Sequence, residues 1–215
     1  MQKGPVNKLI NIVTLGCSKN TVDSEKLLRQ ITAGGYSVAY DPSAETADTV
    51  IINTCGFIND AKEESIDTIL RFVRAKQSGK IDNLYVMGCL SERYMDALKT
   101  EIPEVDRYFG VHSIPEILEQ VGLKYRKDLE VRRSITTPSH YAYLKVSEGC
   151  DRTCAFCAIP AIRGKYISRP MEEIVTEAEI LAGAGVRELI LIAQDLSYYG
   201  LDLYRQQMLP ELVRK

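Results

Sequence analysis

Thr49-Val50-Ile51-Ile52-Asn53-Thr54-Cys55 is a β-branched run that ends on a cysteine. Branched Cβ atoms are stiff at χ1 and pack well on a pleated strand. A run this apolar, without alternation, reads as a buried strand of a parallel sheet. The arrangement recurs on either side. Leu9-Ile10-Asn11-Ile12-Val13-Thr14-Leu15 leads into Gly16-Cys17, and Leu84-Tyr85-Val86-Met87-Gly88 leads into Cys89. Each run precedes a helical pattern. Asn20 is placed as the N-cap of the first helix, with Asp23 in its first turn, Leu27, Leu28 and Ile31 along one face and Gly34-Gly35 as the stop. Asn59 and Asp60 open the second, with Ile66, Ile69, Leu70 and Val73 at helical spacing. A third covers about 91–99. Short strands are expected near 36–40 and 105–111. Ser113-Ile114-Pro115-Glu116 reads as a capping box opening a last short helix that ends near Gly122.

Strands alternating with helices imply an α/β fold with a doubly wound parallel sheet. The strand-end cysteines then share the edge where such folds bind ligands. Neighbouring strands lie about 4.8 Å apart, so thiols on nearby strands fall within roughly 10 Å of one another. Any one of Cys17, Cys55 and Cys89 is well explained as a small buried hydrophobe. Recurrence at one structural position in three βα units points instead to a shared ligand.

A second cysteine group lies in Glu148-Gly149-Cys150-Asp151-Arg152-Thr153-Cys154-Ala155-Phe156-Cys157. Extended, this segment would spread the thiols over roughly 25 Å, so sharing one centre requires a curled loop. Such spacings hold zinc or an iron–sulfur cluster. Structural zinc takes four protein ligands, and His140 is the nearest candidate for a fourth. Three thiolates on a cubane instead leave one iron open to a small molecule.

Around this loop the chain reads as the start of another unit. Residues 123–140 have little periodicity and read as a linker, with one strand near 129–132. Tyr141-Ala142-Tyr143-Leu144-Lys145-Val146-Ser147 alternates and forms a first strand. Ser168-Arg169-Pro170 introduces a helix whose inward face is Ile174, Val175, Ala178 and Leu181. Residues 187–193 form the next buried strand, with Gln194 and Asp195 at its end. This is a βαβ unit with its chemistry after the strands, as in barrel enzymes. Only 75 residues run from Tyr141 to Lys215, against about 250 in a full barrel. The expected organisation is 1–122 as an α/β domain, 123–140 as linker and 141–215 as an incomplete barrel domain.

Composition is that of a soluble globular protein, with 45% hydrophobic and 26% charged residues among 215. No apolar run reaches membrane-spanning length. Met1-Gln2-Lys3-Gly4-Pro5 lacks the pattern of a secretory leader, so six reduced cysteines in the cytoplasm are expected rather than three disulfides. Net charge is −2, yet residues 123–170 hold ten Lys/Arg against four Asp/Glu. That local excess favours an anionic cofactor, an acidic side chain or RNA, or is a solvated surface.

Cys-x3-Cys-x2-Cys with Phe156 before the last cysteine resembles the signature loop of radical S-adenosylmethionine (SAM) enzymes. Combined with three strand-end cysteines, it resembles the methylthiotransferase family over roughly residues 8–210. The resemblance rests on Leu15-Gly16-Cys17-Ser18-Lys19-Asn20-Thr21-Val22-Asp23-Ser24-Glu25, Asn53-Thr54-Cys55-Gly56-Phe57-Ile58, Cys150 through Pro160, and Ala193-Gln194-Asp195. The residues flanking Cys17, Cys55 and Cys150 are similar to the branch that methylthiolates an aspartate of ribosomal protein S-twelve, more than to the tRNA-modifying branch.

The resemblance implies a partial (β/α) radical SAM barrel after the first domain. Cys150, Cys154 and Cys157 would hold a [4Fe–4S] cluster that binds SAM and cleaves it to methionine and a 5′-deoxyadenosyl radical. That radical would take hydrogen from the unactivated β-carbon of the aspartate. Cys17, Cys55 and Cys89 would hold a second, sulfur-carrying [4Fe–4S] cluster. Phe156 would pack beside the adenine of SAM, with Gln194 and Asp195 nearby. Arg163, Lys165 and Arg169 would steer an acidic substrate or pair with a SAM carboxylate. Tyr198-Tyr199-Gly200 resembles a family loop. Ribosomal protein S-twelve and a reductase or flavodoxin-like electron donor are the implied partners, with no membrane. Family members continue into the rest of the barrel and a C-terminal β domain that contacts the substrate.

Overall fold

In chain order, β1 (Leu9–Thr14), α1 (Ser18–Ala33), β2 (Ser37–Ala39), β3 (Ala47–Thr54), α2 (Asn59–Gln77), β4 (Ile81–Gly88), α3 (Cys89–Glu101), β5 (Arg107–Tyr108) and α4 (Ile114–Gln120) lay down one parallel sheet. The structure is a computed structural model and describes residues 8–215. The Met1–Pro5 stretch read above lies outside the described residues. Strand order is β2-β1-β3-β4-β5. The chain runs outward from β1 to β2, then returns to place β3 on the other side of β1. That reversal makes a crevice at the carboxyl ends of β1 and β3.

Alternating side chains of the buried strands feed two cores. Val50 and Ile52 of β3 pack with Val13, Ile69, Phe72, Val86 and Leu98, on the face of α2 and α3. Ile51 packs on the opposite face with Ile12, Leu27, Ile31, Met87 and Ile117, under α1 and α4. Each such side chain, fully buried, contributes about 1.5–3 kcal/mol.

Three sequence expectations for this unit are revised. Helix α1 begins two residues before Asn20, with Cys17 as the N-cap residue, and Asn20 is a fully buried residue inside it. In α2 the buried face is Ile69, Phe72 and Val73, whereas Ile66 and Leu70 are partly exposed. Those two line a shallow apolar groove shared with Leu90, Tyr94 and Leu98 of α3, so they face the neighbouring helix rather than the sheet. Ser113 precedes α4 at φ −93°, ψ 27° and makes no side-chain cap bond. A capping box needs an extended N-cap, which this backbone does not supply.

The chain divides into two units between Lys127 and Asp128. In the second, β6 (Tyr141–Lys145), β7 (Ser147–Glu148), α5 (Ile159–Arg163), β8 (Ile167–Ser168), α6 (Met171–Gly183), β9 (Glu188–Ile192) and α7 (Leu209–Arg214) follow in order. β6 and β9 pair in parallel and α6 covers them through Ile174 and Leu181. β7 and β8 form a short antiparallel pair unseen in the sequence. No strand forms at 129–132. Lys127–Leu129 is a 3₁₀ turn, Leu129 is buried, and Ile135 packs on the core of the second unit. β9 was expected to be buried, but Glu188 and Ile190 are exposed, because α6 covers one face of the β6–β9 pair only. Among the described residues no helix is long and apolar enough to cross a membrane.

Candidate metal centres

β1, β3 and β4 are adjacent strands, and their registers pair Thr14 with Asn53 and Thr54 with Gly88. The three strands therefore end level. Cys55 follows β3 directly, Cys89 follows β4 directly, and Cys17 lies three residues past β1. Cys17 and Cys55 flank the crevice described above. Cys17 caps α1 and Cys89 opens α3, and helix N-termini favour negatively charged ligands such as thiolates. Cys55 and Cys89 are buried and Cys17 is exposed.

Gly16 brings the first two together. Its φ is +91°, and a Cβ there would fall 2.6 Å from Cys55 Cβ and 3.1 Å from Cys55 Sγ. The Cys55 side chain thus occupies the space that a side chain at position 16 would fill. Ser65 Oγ accepts the Cys55 N–H at 3.1 Å.

A buried polar network joins the strand ends. Asn20 Nδ2 donates to the carbonyls of Leu15 (2.8 Å) and Thr54 (3.0 Å). Asn20 Oδ1 lies 4.0 Å from Cys89 Sγ. Asn53 Nδ2 donates to Asn20 O and to Ser24 Oγ, each at 3.0 Å. Thr14 Oγ1 is 2.7 Å from Ser24 Oγ, and Thr54 Oγ1 donates to Met87 O at 2.6 Å. The sequence hinted at this only through polar residues set inside apolar runs.

The second group sits on residues 150–158, which form no regular element. The base of the loop is closed by Cys150 N–H on Gly164 O (3.1 Å) and Tyr166 N–H on Asp151 Oδ1 (3.0 Å). Gly149 has φ +70°, and a Cβ there would meet Lys165 O at 2.0 Å. Only glycine permits that approach. Cys157 N–H donates to Cys154 O (3.1 Å), and Arg152 N–H reaches Cys150 Sγ (3.5 Å). Cys150 is buried, Cys157 half-buried and Cys154 exposed. Phe156 is 91% exposed.

The donor chemistry fits iron–sulfur ligation in both places: three thiols per group, with the Arg152 N–H on Cys150 Sγ and helix N-termini at Cys17 and Cys89. Among the described residues no three Cys, His, Asp or Glu side chains stand close enough together to enclose a metal ion. The backbone therefore brings the first three cysteines to one edge and the second three to one loop, without drawing the sulfurs together.

Of the other predicted residues, Gln194 is half-buried at the end of β9. Asp195 Oδ2 receives Arg152 Nε at 2.7 Å, and its Oδ1 caps the turn at Ser197. Hydrogen bonds from Ser197 first, then from Arg152, hold the Asp195 carboxyl below its usual range. Arg152 also lies 4.2 Å over the Tyr198 ring. Arg163 is 2% exposed and pairs with Glu148 Oε1 at 3.0 Å, while Lys145 takes Glu148 Oε2 at 2.7 Å. Burial raises the Glu148 carboxyl, but Lys145 and Arg163 outweigh it and hold the group at about 2. Arg169 pairs with Glu177 at 2.8 Å, and Lys165 is exposed. Tyr199 is fully buried and donates to Arg169 O at 3.1 Å. At least five of the ten cations in 123–170 thus sit in ion pairs, counting Arg133 with Glu177. Much of the basic stretch is engaged by carboxylates, with Arg133, Lys145 and Arg163 held inside the second unit.

Comparison with known proteins covers the same two regions. Residues 9–110 match the uncharacterized protein family UPF0004, and residues 144–211 match the radical SAM superfamily. The chain is similar to the ribosomal protein uS12 methylthiotransferase RimO of Phocaeicola vulgatus, with 56% identity over 206 residues, 96% of this chain and 48% of that protein. The proteins of the same name from Bacteroides fragilis (54% over 208 residues; 97% and 48%) and Cytophaga hutchinsonii (53% over 212; 99% and 48%) are similarly close. The chain spans about half the length of these curated relatives. Among solved structures, the fold is like that of the radical SAM methyltransferase TsrM from Kitasatospora setae, solved with cobalamin and a [4Fe–4S] cluster (TM-score 0.61, 13% identity, 97% of this chain and 52% of that one). It is also like the cobalamin-dependent SAM radical enzyme OxsB (TM-score 0.56, 11% identity, 89% and 34%).

Proposed function

We propose, for a chain that belongs to the radical SAM methylthiotransferase family, that it serves to add a methylthio group to the β-carbon of an aspartate in ribosomal protein S-twelve (uS12). The RimO relatives support that substrate. The observation that carries the reading is the level ending of β1, β3 and β4, each followed by a cysteine, in a chain that also holds the Cys150–Cys157 loop. Cys17, Cys55 and Cys89 would hold one [4Fe–4S] cluster, and Cys150, Cys154 and Cys157 another that binds SAM. Such a cluster with SAM supplies the one-electron chemistry that takes a hydrogen atom from an unactivated carbon, which no side-chain base can deprotonate at a workable rate.

The chain's own residues then have defined work. The closed base of the loop, through Gly164, Asp151 and Tyr166, holds Cys150 buried and leaves Cys154 exposed and Cys157 half-buried, where a small molecule can reach them. Exposed Phe156 offers an aromatic face to the adenine of SAM. Gln194, with Asp195 fixed by Arg152 and Ser197, supplies polar groups at the end of β9. Arg163 acts through Glu148 rather than on SAM. A cytoplasmic setting with a flavodoxin-like or reductase electron donor follows from the substrate and the chemistry.

Anaerobic reconstitution with iron and sulfide tests the metal assignment. About eight irons per chain are expected, four per cubane. Substantial zinc without sulfide would replace it with a structural zinc module. For the substrate, a protein carrying this sequence at its relatives' full length is offered the ribosomal protein or tRNA, with SAM and a reductant. A methylthio mass gain on the aspartate is expected, and a gain only on tRNA would overturn the assignment.

A further inference from the structure

We infer that Asn20 is the positioning residue of the first thiolate group: one buried amide sets the spacing of the strand ends and turns its oxygen, not its N–H, toward the Cys89 sulfur. The inference rests on the reading that Cys17, Cys55 and Cys89 hold an iron–sulfur cluster. A primary amide has two N–H donors and one acceptor oxygen. Both donors of Asn20 are engaged, one by Leu15 O at the end of β1 and one by Thr54 O at the end of β3. The flipped amide would set its oxygen against those two carbonyl oxygens and leave both buried carbonyls without a donor, so the orientation is fixed. The oxygen is then left on the side of Cys89, 4.0 Å from its sulfur. The carbonyl of Asn20 in turn accepts from Asn53 Nδ2 at 3.0 Å, which locks the residue from behind.

The arrangement has an electrostatic consequence. A protonated Cys89 can donate its S–H to the amide oxygen. A metal-bound Cys89 thiolate instead faces the negative end of the amide dipole. Negative charge beside a sulfur ligand disfavours adding an electron to the cluster, since hydrogen bonds and charge at the sulfurs set its potential. Asn20 therefore holds the first cluster at a lower midpoint potential than its three thiolates alone would give.

The test uses the 215-residue chain with Cys150, Cys154 and Cys157 all replaced by alanine, reconstituted anaerobically with iron and sulfide. The parent is expected to hold about four irons. Asn20→Ala removes the ties and the oxygen: iron binding is expected to weaken roughly 10–100-fold, and the cluster that forms is expected to show a midpoint potential above the parent's. Asn20→Ser keeps a donor for one of the two carbonyls, and carries the test where Asn20→Ala does not fold; the same upward shift is expected. Asn20→Asp keeps the oxygen but not the donors, and is expected to weaken iron binding without raising the potential. A potential equal to the parent's in whichever of the alanine and serine variants folds overturns the inference while leaving the metal site standing. A parent that binds no iron removes the metal site itself, and the inference with it.

Discussion

Arg133 Nε lies 2.6 Å from Glu177 Oε1, and both side chains are 1% exposed. Arg169 takes the other carboxylate oxygen at 2.8 Å, and Arg133 also donates to the Tyr143 carbonyl. One carboxylate on α6 thus holds the segment before β6 and the residue after β8. Breaking a buried ion pair from one side leaves charge without compensation. Glu177→Gln keeps the volume but strands two guanidiniums. We expect a loss of about 3–5 kcal/mol for the second unit, measured by urea unfolding followed through tyrosine signals. Arg133→Met, which leaves Glu177 with Arg169, is expected to cost less.

Gly16 makes a separate prediction for the first unit. At φ +91°, with Cys55 Cβ where its own Cβ would stand, Gly16→Ala is both strained and crowded. Strain of this kind costs about 1–3 kcal/mol. Relief by moving Cys55 would also displace a proposed ligand. We expect iron to fall at the first site while the Cys150–Cys157 loop retains its own. Iron counts before and after replacing Cys150, Cys154 and Cys157 by alanine separate the two. Full occupancy of the first site in Gly16→Ala would show that Cys55 need not lie against residue 16.

The α/β layout was legible because three apolar runs, each ending on a cysteine and each followed by a helical stripe, leave few alternatives to a parallel sheet. The placement of the six cysteines, three after strand ends and three in one loop, was legible for the same reason. What the sequence hid was pairing across distance. Asn20 looked like a cap because Asn is a frequent cap; its two acceptors, Leu15 O and Thr54 O, become neighbours only once β1 and β3 lie side by side. Residues 123–140 looked like a linker because Arg133 has no periodicity to mark it, and its partner Glu177 is 44 positions away. Arg163 looked like an anion-binding cation because the charge of Glu148 reaches it only through folding.

Arg152 and Asp195 form an exposed latch over the cysteine loop. The pair is 2.7 Å apart, and the guanidinium also lies over Tyr198. Exposed ion pairs contribute about 0–1 kcal/mol and exposed cation–π contacts about 0.5–1. Global stability is therefore expected to change by less than about 1–2 kcal/mol in Arg152→Ala. Local order should change more, because the loop residues form no regular element and Arg152 ties them to Asp195 and Tyr198 after β9. Hydrogen exchange of the amides in 151–157 is expected to speed up, with β6 and β9 unaffected. Unchanged exchange in the loop would show that its base contacts alone fix it.

Arg163 separates two accounts of one cation. If it binds a SAM carboxylate, its replacement should weaken SAM binding and leave iron in place. The geometry favours the other account: Arg163 is 2% exposed and engages Glu148, two residues before Cys150, while Lys145 holds the second oxygen. Arg163→Met keeps the stem and removes the charge, leaving one side of a buried carboxylate without its partner. Truncating a hydrogen-bonded charged partner costs about 1.5–3 kcal/mol. The strand of residues 147–148 and the helix of residues 159–163, which flank the loop, are then no longer tied. With Cys17, Cys55 and Cys89 replaced by alanine, Arg163→Met should lose iron from the loop in proportion to the stability lost, and Arg163→Lys should restore part of both. SAM affinity per loaded site, measured by titration against the iron-bound fraction, should stay at the parent's value. A fall in that affinity with full iron would return Arg163 to the cofactor.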